Sequence, residues 1–125
     1  MTIHAKTYGL THLAIHVANL DRTLRFYKTV FDMQVMYHTP DFLQLTTPGA
    51  HDVIVFLPKD DHTVGVTGGI AHFGFRLRDP GDMDMMVKKV TDAGGIITDQ
   101  GEFAPGYPKL FFKDTDGYEI EVWYE

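Results

Sequence analysis

The sequence predicts an α+β fold built from two tandem βαβββ modules that together form a concave, cleft-lining sheet. A strand, a helix and three further strands follow one another twice along the chain. Corresponding positions recur at a nearly constant offset, which is 60 residues between His12 and His72 and 66 between the last strands of the two halves. With 125 residues the chain has the length of one ordinary domain. We therefore expect a single domain, 1–125, made of modules 8–58 and 69–125.

The elements of the first module follow from the spacing of its apolar residues. Residues 10–17 alternate between apolar and polar side chains, which predicts a strand with its odd-numbered residues facing the core. Asn19 can cap the helix that follows, because apolar residues then recur every three or four positions until about Asp32. Three short strands separated by proline-containing turns complete the module, at 34–38, 42–46 and 52–57.

The second module repeats this order after a glycine-rich linker. Residues 71–77 alternate like the first strand. Asp79 and Pro80 are the residues that favour a helix start, and Gly94 marks the helix end. Three strands again follow the helix, at 96–99, 108–113 and 118–124.

Composition limits the classes of partner and the compartment. The formal net charge is −6, so the chain has too few basic side chains to neutralise the phosphates of a nucleic acid. No apolar run is long enough to span a membrane, and the first residues contain no apolar signal core. The absence of cysteine excludes thiolate metal sites and disulfides, and it fits a cytoplasmic location.

Seven histidines in a chain of this length direct attention to metal or proton chemistry. Strand alternation places His12 and His16 on the polar face of the first module, and His72 and Glu121 on that of the second. His12 and His16 are ~13 Å apart along a strand. A metal–nitrogen bond measures ~2.1 Å, so both cannot bind one ion. One histidine from each half and one carboxylate, brought together in a cleft between the halves, would suffice for a divalent ion.

Several short motifs, taken in order, resemble the vicinal oxygen chelate superfamily. This superfamily includes glyoxalase I, fosfomycin-resistance and bleomycin-resistance proteins, and extradiol ring-cleaving dioxygenases. The motifs are LTHLAI at 10–15, NLD at 19–21 leading to FY at 26–27, AHFGF at 71–75 and DTDGYEIE at 114–121. Each motif alone is weak, but the ordered set at this spacing is specific. The resemblance covers roughly residues 8–125.

The resemblance implies that His12, His72 and Glu121 bind one divalent metal ion, which would be Fe, Mn, Zn or Ni. It implies a metal-dependent enzyme, either a lyase or isomerase of the glyoxalase type or an extradiol-type dioxygenase. The substrate would be a small molecule chelated through adjacent oxygens. The alternative is a non-enzymatic drug- or antibiotic-binding protein of the bleomycin-resistance type. Single-chain members of this superfamily commonly pair, so we expect a homodimer.

Departures from the family patterns leave the reaction class open. Glyoxalase I has a fourth ligand, a glutamate, where Val55 stands, and fosfomycin-resistance enzymes have a threonine at the position of Ala14. Extradiol dioxygenases have an active-site tyrosine where Phe111 stands. They also place an acid–base histidine before the second ligand, which makes His62 the candidate catalytic residue. The alternative is that His62 is a solvated histidine of the linker. Trp123 shares the face of Glu121 and is predicted to be a pocket wall or part of a subunit interface.

Overall fold

The computed structural model describes residues 5–125 and confirms the α+β fold with two βαβββ modules. The first module consists of β1 (His12–Val17), α1 (Leu20–Phe31), β2 (Gln34–Thr39), β3 (Phe42–Thr46) and β4 (Val53–Pro58). The second consists of β5 (Phe73–Arg76), a 3-10 turn (Pro80–Asp82), α2 (Met83–Asp92), β6 (Ile96–Ala104), β7 (Tyr107–Lys113) and β8 (Glu119–Trp123). Neither helix in this part of the chain is long and apolar enough to cross a membrane.

Each module forms its own four-stranded sheet, and the two sheets have the same strand order. The first sheet runs β1-β4-β3-β2 and the second β5-β8-β7-β6. In each, the first strand lies at the edge and pairs in parallel with the last strand of its module. The register sets Ala14 opposite Val55, and Gly74 opposite Glu121. Val55 and Glu121 therefore occupy equivalent positions, as the internal repeat predicted.

Helix α1 begins and ends where its local sequence favours it. The Asn19 side chain accepts a hydrogen bond from the main-chain N–H of Arg22 at 3.0 Å, which satisfies one of the free donors at the helix start. Asp32 adopts a left-handed conformation with φ of 54°, and its N–H donates to the main-chain oxygen of Lys28. The apolar face between these ends is buried and includes Leu20, Phe26, Tyr27 and Val30.

The two modules pack on each other through their helices and apolar sheet faces. Phe31 of α1 stacks on Phe75 of β5 with ring centroids 3.7 Å apart, and Phe26 lies 6.2 Å from Phe112 of β7. The buried side chains of both modules form one continuous hydrophobic core. Because the apolar faces are turned toward this core, the opposite faces of both sheets point away from it.

Two aspartates in the turn between β7 and β8 connect the second module to α1. Asp114 is buried, and it accepts a hydrogen bond from the Tyr27 hydroxyl at 2.7 Å and from three main-chain N–H groups of its own turn. Asp116 forms an ion pair with Arg22 at 2.8 Å, and its side chain is 1% exposed. Buried carboxylates need such partners to offset their desolvation, so these contacts fix how the modules meet.

Three strand boundaries differ from the sequence prediction by two residues or more. β1 begins at His12 rather than at residue 10, and β5 begins at Phe73 rather than at residue 71, so His72 precedes its strand. The ladder between β5 and β8 begins where Phe73 lies opposite Ile120, and the residues before it have no partner in that ladder. β6 continues to Ala104 instead of ending at Asp99, because its pairing with β7 persists through two register shifts.

Candidate metal centre

Two of the three predicted ligands meet on the outer face of the second sheet. Glu121 lies within β8, and its side chain is 15% exposed, whereas that of His72, just before β5, is 37% exposed. The Oε1 atom of Glu121 lies 3.4 Å from Nε2 of His72. Two donor atoms bound to one ion at ~2.1 Å with a tetrahedral angle are separated by roughly the same distance. The donor types and the spacing of the pair are compatible with two ligands of one divalent ion.

Neighbouring residues orient this pair. The ring of Phe111 meets the His72 imidazole edge to face, with centroids 5.0 Å apart and an interplanar angle of 90°. Phe111 is also the residue opposite Glu121 in the ladder between β7 and β8. Gly74 lies opposite Glu121 on the other side, where a Cβ atom would come within 2.7 Å of the Trp123 ring. A larger residue at Gly74 would therefore displace the tryptophan from its place beside Glu121.

The third predicted ligand belongs to the other sheet. His12 is the first residue of β1, and its side chain is exposed on the outer face of the first module. Within residues 5–125, no group of three or more His, Asp or Glu side chains is close enough to hold a metal ion. The reason is the packing of the modules, which buries their apolar faces against each other and turns both polar faces outward. One chain thus presents a two-donor pair and a separate histidine.

The remaining residues singled out in the sequence take different positions. His62 is exposed in the segment between β4 and β5. His16 is exposed on the outer face of β1. Val55 is 7% exposed and lies between Ala14 and Gln44 in the first sheet, at the position that Glu121 occupies in the second. The first module therefore has an apolar residue where the second has a carboxylate.

A cavity of about 740 Å³ on the second module is lined in part by Glu121. Its lining residues are Arg76, Phe103, Tyr107, Glu121, Trp123 and Glu125. Strand alternation places Trp123 on the face of Glu121, but it gives no signal for Phe103 or Tyr107. Phe103 was missed because β6 was expected to end at Asp99, and Tyr107 was missed because β7 was expected to begin one residue later.

The family of the chain is established by comparison with known proteins. Residues 9–122 match the family model described as the Glyoxalase/Bleomycin resistance protein/Dioxygenase superfamily. The chain therefore belongs to this superfamily, as the motifs around His12, His72 and Glu121 predicted.

Individual relatives are more distant. The chain is 29% identical to an uncharacterized protein of Pseudomonas aeruginosa over 92% of this chain and 87% of that protein. It is 28% identical to catechol-2,3-dioxygenase of Bacillus subtilis over 98% of this chain, but it spans only 43% of that protein's length. The fold is similar to that of a variant of the fosfomycin resistance protein FosX from Listeria monocytogenes, solved with Mn(II) and 1S,2S-dihydroxypropylphosphonic acid. That similarity has a TM-score of 0.75 at 18% identity and covers 94% of this chain and 90% of the other.

Proposed function

We propose that the protein is a divalent-metal-dependent enzyme of the glyoxalase/dioxygenase type. Its substrate is a small molecule that binds the metal through adjacent oxygens. The observation that carries this proposal is the 3.4 Å separation between Nε2 of His72 and Oε1 of Glu121, beside a cavity that Glu121 itself lines. Imidazole nitrogen with carboxylate oxygen is found as a donor set for Fe, Mn, Zn and Ni, so the donor types alone do not identify the metal.

His12 is the proposed third ligand, and a second copy of the chain is the proposed source of it. His12 is exposed on an edge strand, and the pair of His72 and Glu121 is accessible on a different sheet. In a homodimer with two-fold symmetry, the outer face of the first module of each chain would dock on the outer face of the second module of the other chain. This arrangement would form two equivalent sites. Each site would then take His12 from one copy and the other two ligands from its partner.

Each residue of the site has a separate proposed role. The metal, when bound, supplies Lewis-acid polarisation of the oxygens attached to it. His72 and Glu121 hold it, and Phe111 fixes the plane of the His72 ring through its edge contact. An apolar Val55 at the matching position of the first module adds no fourth protein ligand, so adjacent substrate oxygens have room to bind. His62 is the proposed acid–base group.

Two reaction classes fit this arrangement. Extradiol-type oxygenation is supported by the similarity to a catechol-2,3-dioxygenase. Lyase or isomerase chemistry of the glyoxalase type uses the same chelated oxygens and the same ligand types. A metal-free binding protein is the second candidate function. It is favoured by the aromatic lining of the cavity, and by the finding that the described part of one chain brings only two of the predicted ligands together.

Metal content tests the proposal directly. The protein is stripped with a chelator, titrated with Mn(II) or Fe(II) without oxygen, and analysed for bound metal after dialysis. We expect one ion per chain, and we expect Glu121→Gln and His72→Ala to lose it. Wild-type protein that retains no stoichiometric metal would support the binding protein instead. If metal binds, ring cleavage of catechols by the Fe(II) form in air separates the dioxygenase from the lyase or isomerase.

A further inference from the structure

Lys109 of β7 lies on the outer face of the second sheet, in contact with the aromatic ring that supports His72. Its Nζ atom lies 5.3 Å from the ring centroid of Phe103 and 5.9 Å from that of Phe111. Both distances fall within the ~6 Å over which a cation is attracted to the face of an aromatic ring. Phe111 in turn meets the His72 imidazole edge to face. A continuous series of contacts thus leads from Lys109 through Phe111 to His72.

The ammonium group of Lys109 is itself held in place. Its Nζ atom lies 3.3 Å from Oδ2 of Asp99, and the lysine side chain is 26% exposed. Asp99 is the residue opposite Phe111 in the ladder between β6 and β7. A free lysine side chain samples many rotamers, whereas one that is paired in this way is restricted to a few. The ion pair therefore keeps the cation beside the Phe111 ring.

His72 depends on side-chain contacts for its orientation, because it precedes β5. The ladder between β5 and β8 begins at Phe73, so no partner in that ladder fixes the backbone of His72. Residues that orient a metal ligand without touching the metal typically contribute about 10- to 100-fold to metal affinity. Phe111 is a ring in direct contact with this imidazole. A restraint on Phe111 is therefore also a restraint on His72.

The first module forms the same kind of sheet without this series of contacts. Its residues at the positions of Asp99, Lys109 and Phe111 are Tyr37, Phe42 and Gln44. The four-stranded sheet as such therefore does not require a cation between an acid and an aromatic ring. The series occurs in the module that carries His72 and Glu121, which points to a role at that pair.

We propose that Lys109 is a positioning residue of the metal centre and holds the Phe111 ring against His72 through its cation–π contact. This inference rests on the proposed function, in which His72 is a metal ligand. The ammonium group attracts the electron-rich face of the Phe111 ring, so it opposes rotation of that ring about its side-chain bonds. A fixed Phe111 ring keeps the imidazole in the orientation that brings Nε2 to Glu121. Lys109 contacts neither the metal nor the substrate in this role.

A double-mutant cycle separates this role from the charge of Lys109. The affinity for Mn(II) is measured for wild type, Lys109→Met, Phe111→Leu and the double variant. Loss of a nearby cation by itself favours binding of another cation, and this effect cancels because it is present in both backgrounds. We expect Lys109→Met to be less favourable for Mn(II) binding in the wild-type background than in the Phe111→Leu background. The expected difference is about two- to fivefold, which corresponds to one partly exposed cation–π contact. Equal effects of Lys109→Met in the two backgrounds would overturn the proposal.

The contact between the rings can also be observed without metal. In NMR spectra of metal-free protein, the His72 ring protons are assigned by their absence from His72→Ala, and they should show Overhauser contacts to the Phe111 ring. These contacts should be lost in Lys109→Met and restored in Lys109→Arg, because a guanidinium keeps the cation–π contact. Lys113→Met is the matched control, since Lys113 lies two residues beyond Phe111 on the same face of β7. It should keep the wild-type contacts.

The two measurements distinguish this inference from the proposed function. Wild-type ring contacts in Lys109→Met, or an equal loss of them in Lys113→Met, would overturn the role of Lys109. Asp99→Asn is an independent variant that releases the ammonium group without removing it, and it should weaken the same contacts. A wild-type protein that binds no Mn(II) contradicts the proposed function, whereas the ring contacts still decide whether Lys109 orients His72.

Discussion

Mixed dimers of two inactive variants should recover half of the metal sites. The variants are His12→Ala and Glu121→Gln, each of which removes one of three proposed ligands from every site of its own homodimer. In a mixed dimer, the His12→Ala chain still offers His72 and Glu121, and the other chain still offers His12. One site is then complete, and the other lacks two ligands.

The expected magnitudes follow from this count of ligands. Mixed dimers should hold about one ion per dimer, which is half of the wild-type content. Each homodimeric variant should bind metal at least about a hundredfold more weakly than wild type, because loss of an outer contact to a ligand already costs about 10- to 100-fold in metal affinity. If all three ligands instead came from one chain, both sites of the mixed dimer would be damaged, and no ion would be retained.

The assay uses co-expression with two affinity tags, purification over both, and metal analysis after dialysis against Mn(II). His16→Ala is the matched control for His12→Ala, since His16 lies on the same face of β1 about 13 Å away. Its mixed dimer with Glu121→Gln should hold half the metal whether the three ligands come from one chain or from two. The shared site would be refuted if the mixed dimers that contain His12→Ala hold no metal while those that contain His16→Ala hold half of the wild-type content. A protein that is monomeric in solution would also refute it.

Three further predictions concern single residues. Val55→Glu should tighten metal binding and weaken a bidentate oxygen ligand, both measured by calorimetry; unchanged affinity for both would show that Val55 lies away from the ion. Gly74→Ala should destabilise the fold by about 1–3 kcal/mol in chemical denaturation and shift the Trp123 emission, because its Cβ would lie 2.7 Å from that ring; an unchanged emission spectrum would contradict the close packing. Burial raises the pKa of Asp114 above that of an exposed aspartate. Protonation of Asp114 therefore stabilises the folded chain at acidic pH, and this stabilisation is lost as the pH rises. The free energy of unfolding of wild type relative to Asp114→Asn should therefore decrease as the pH rises above about 4, and a difference that stays constant with pH would contradict this effect of burial.

Local patterns were sufficient for the course of the chain through each module. The helix start at Asn19 and the end near Asp32 depend on capping and periodicity within a few residues, and both agree with the structure. Strand alternation likewise placed Glu121 and Trp123 on one face, because the pleat of a strand fixes which way successive side chains point. The length of β6 did not follow from local signals, since it depends on continued pairing with β7.

The sequence by itself determined the repeated modules, their polar faces and the motifs that identify the superfamily. Only the tertiary structure decided which faces meet. Contacts such as Phe31 on Phe75, and Tyr27 with Asp114 across 87 positions of sequence, bury the apolar faces between the modules. His72 and Glu121 come together because β5 and β8 are hydrogen-bonded neighbours, whereas His12 lies on a sheet that faces elsewhere. Strand periodicity tells which side of a sheet a residue occupies, but the docking of two sheets is set by long-range packing that has no local signature.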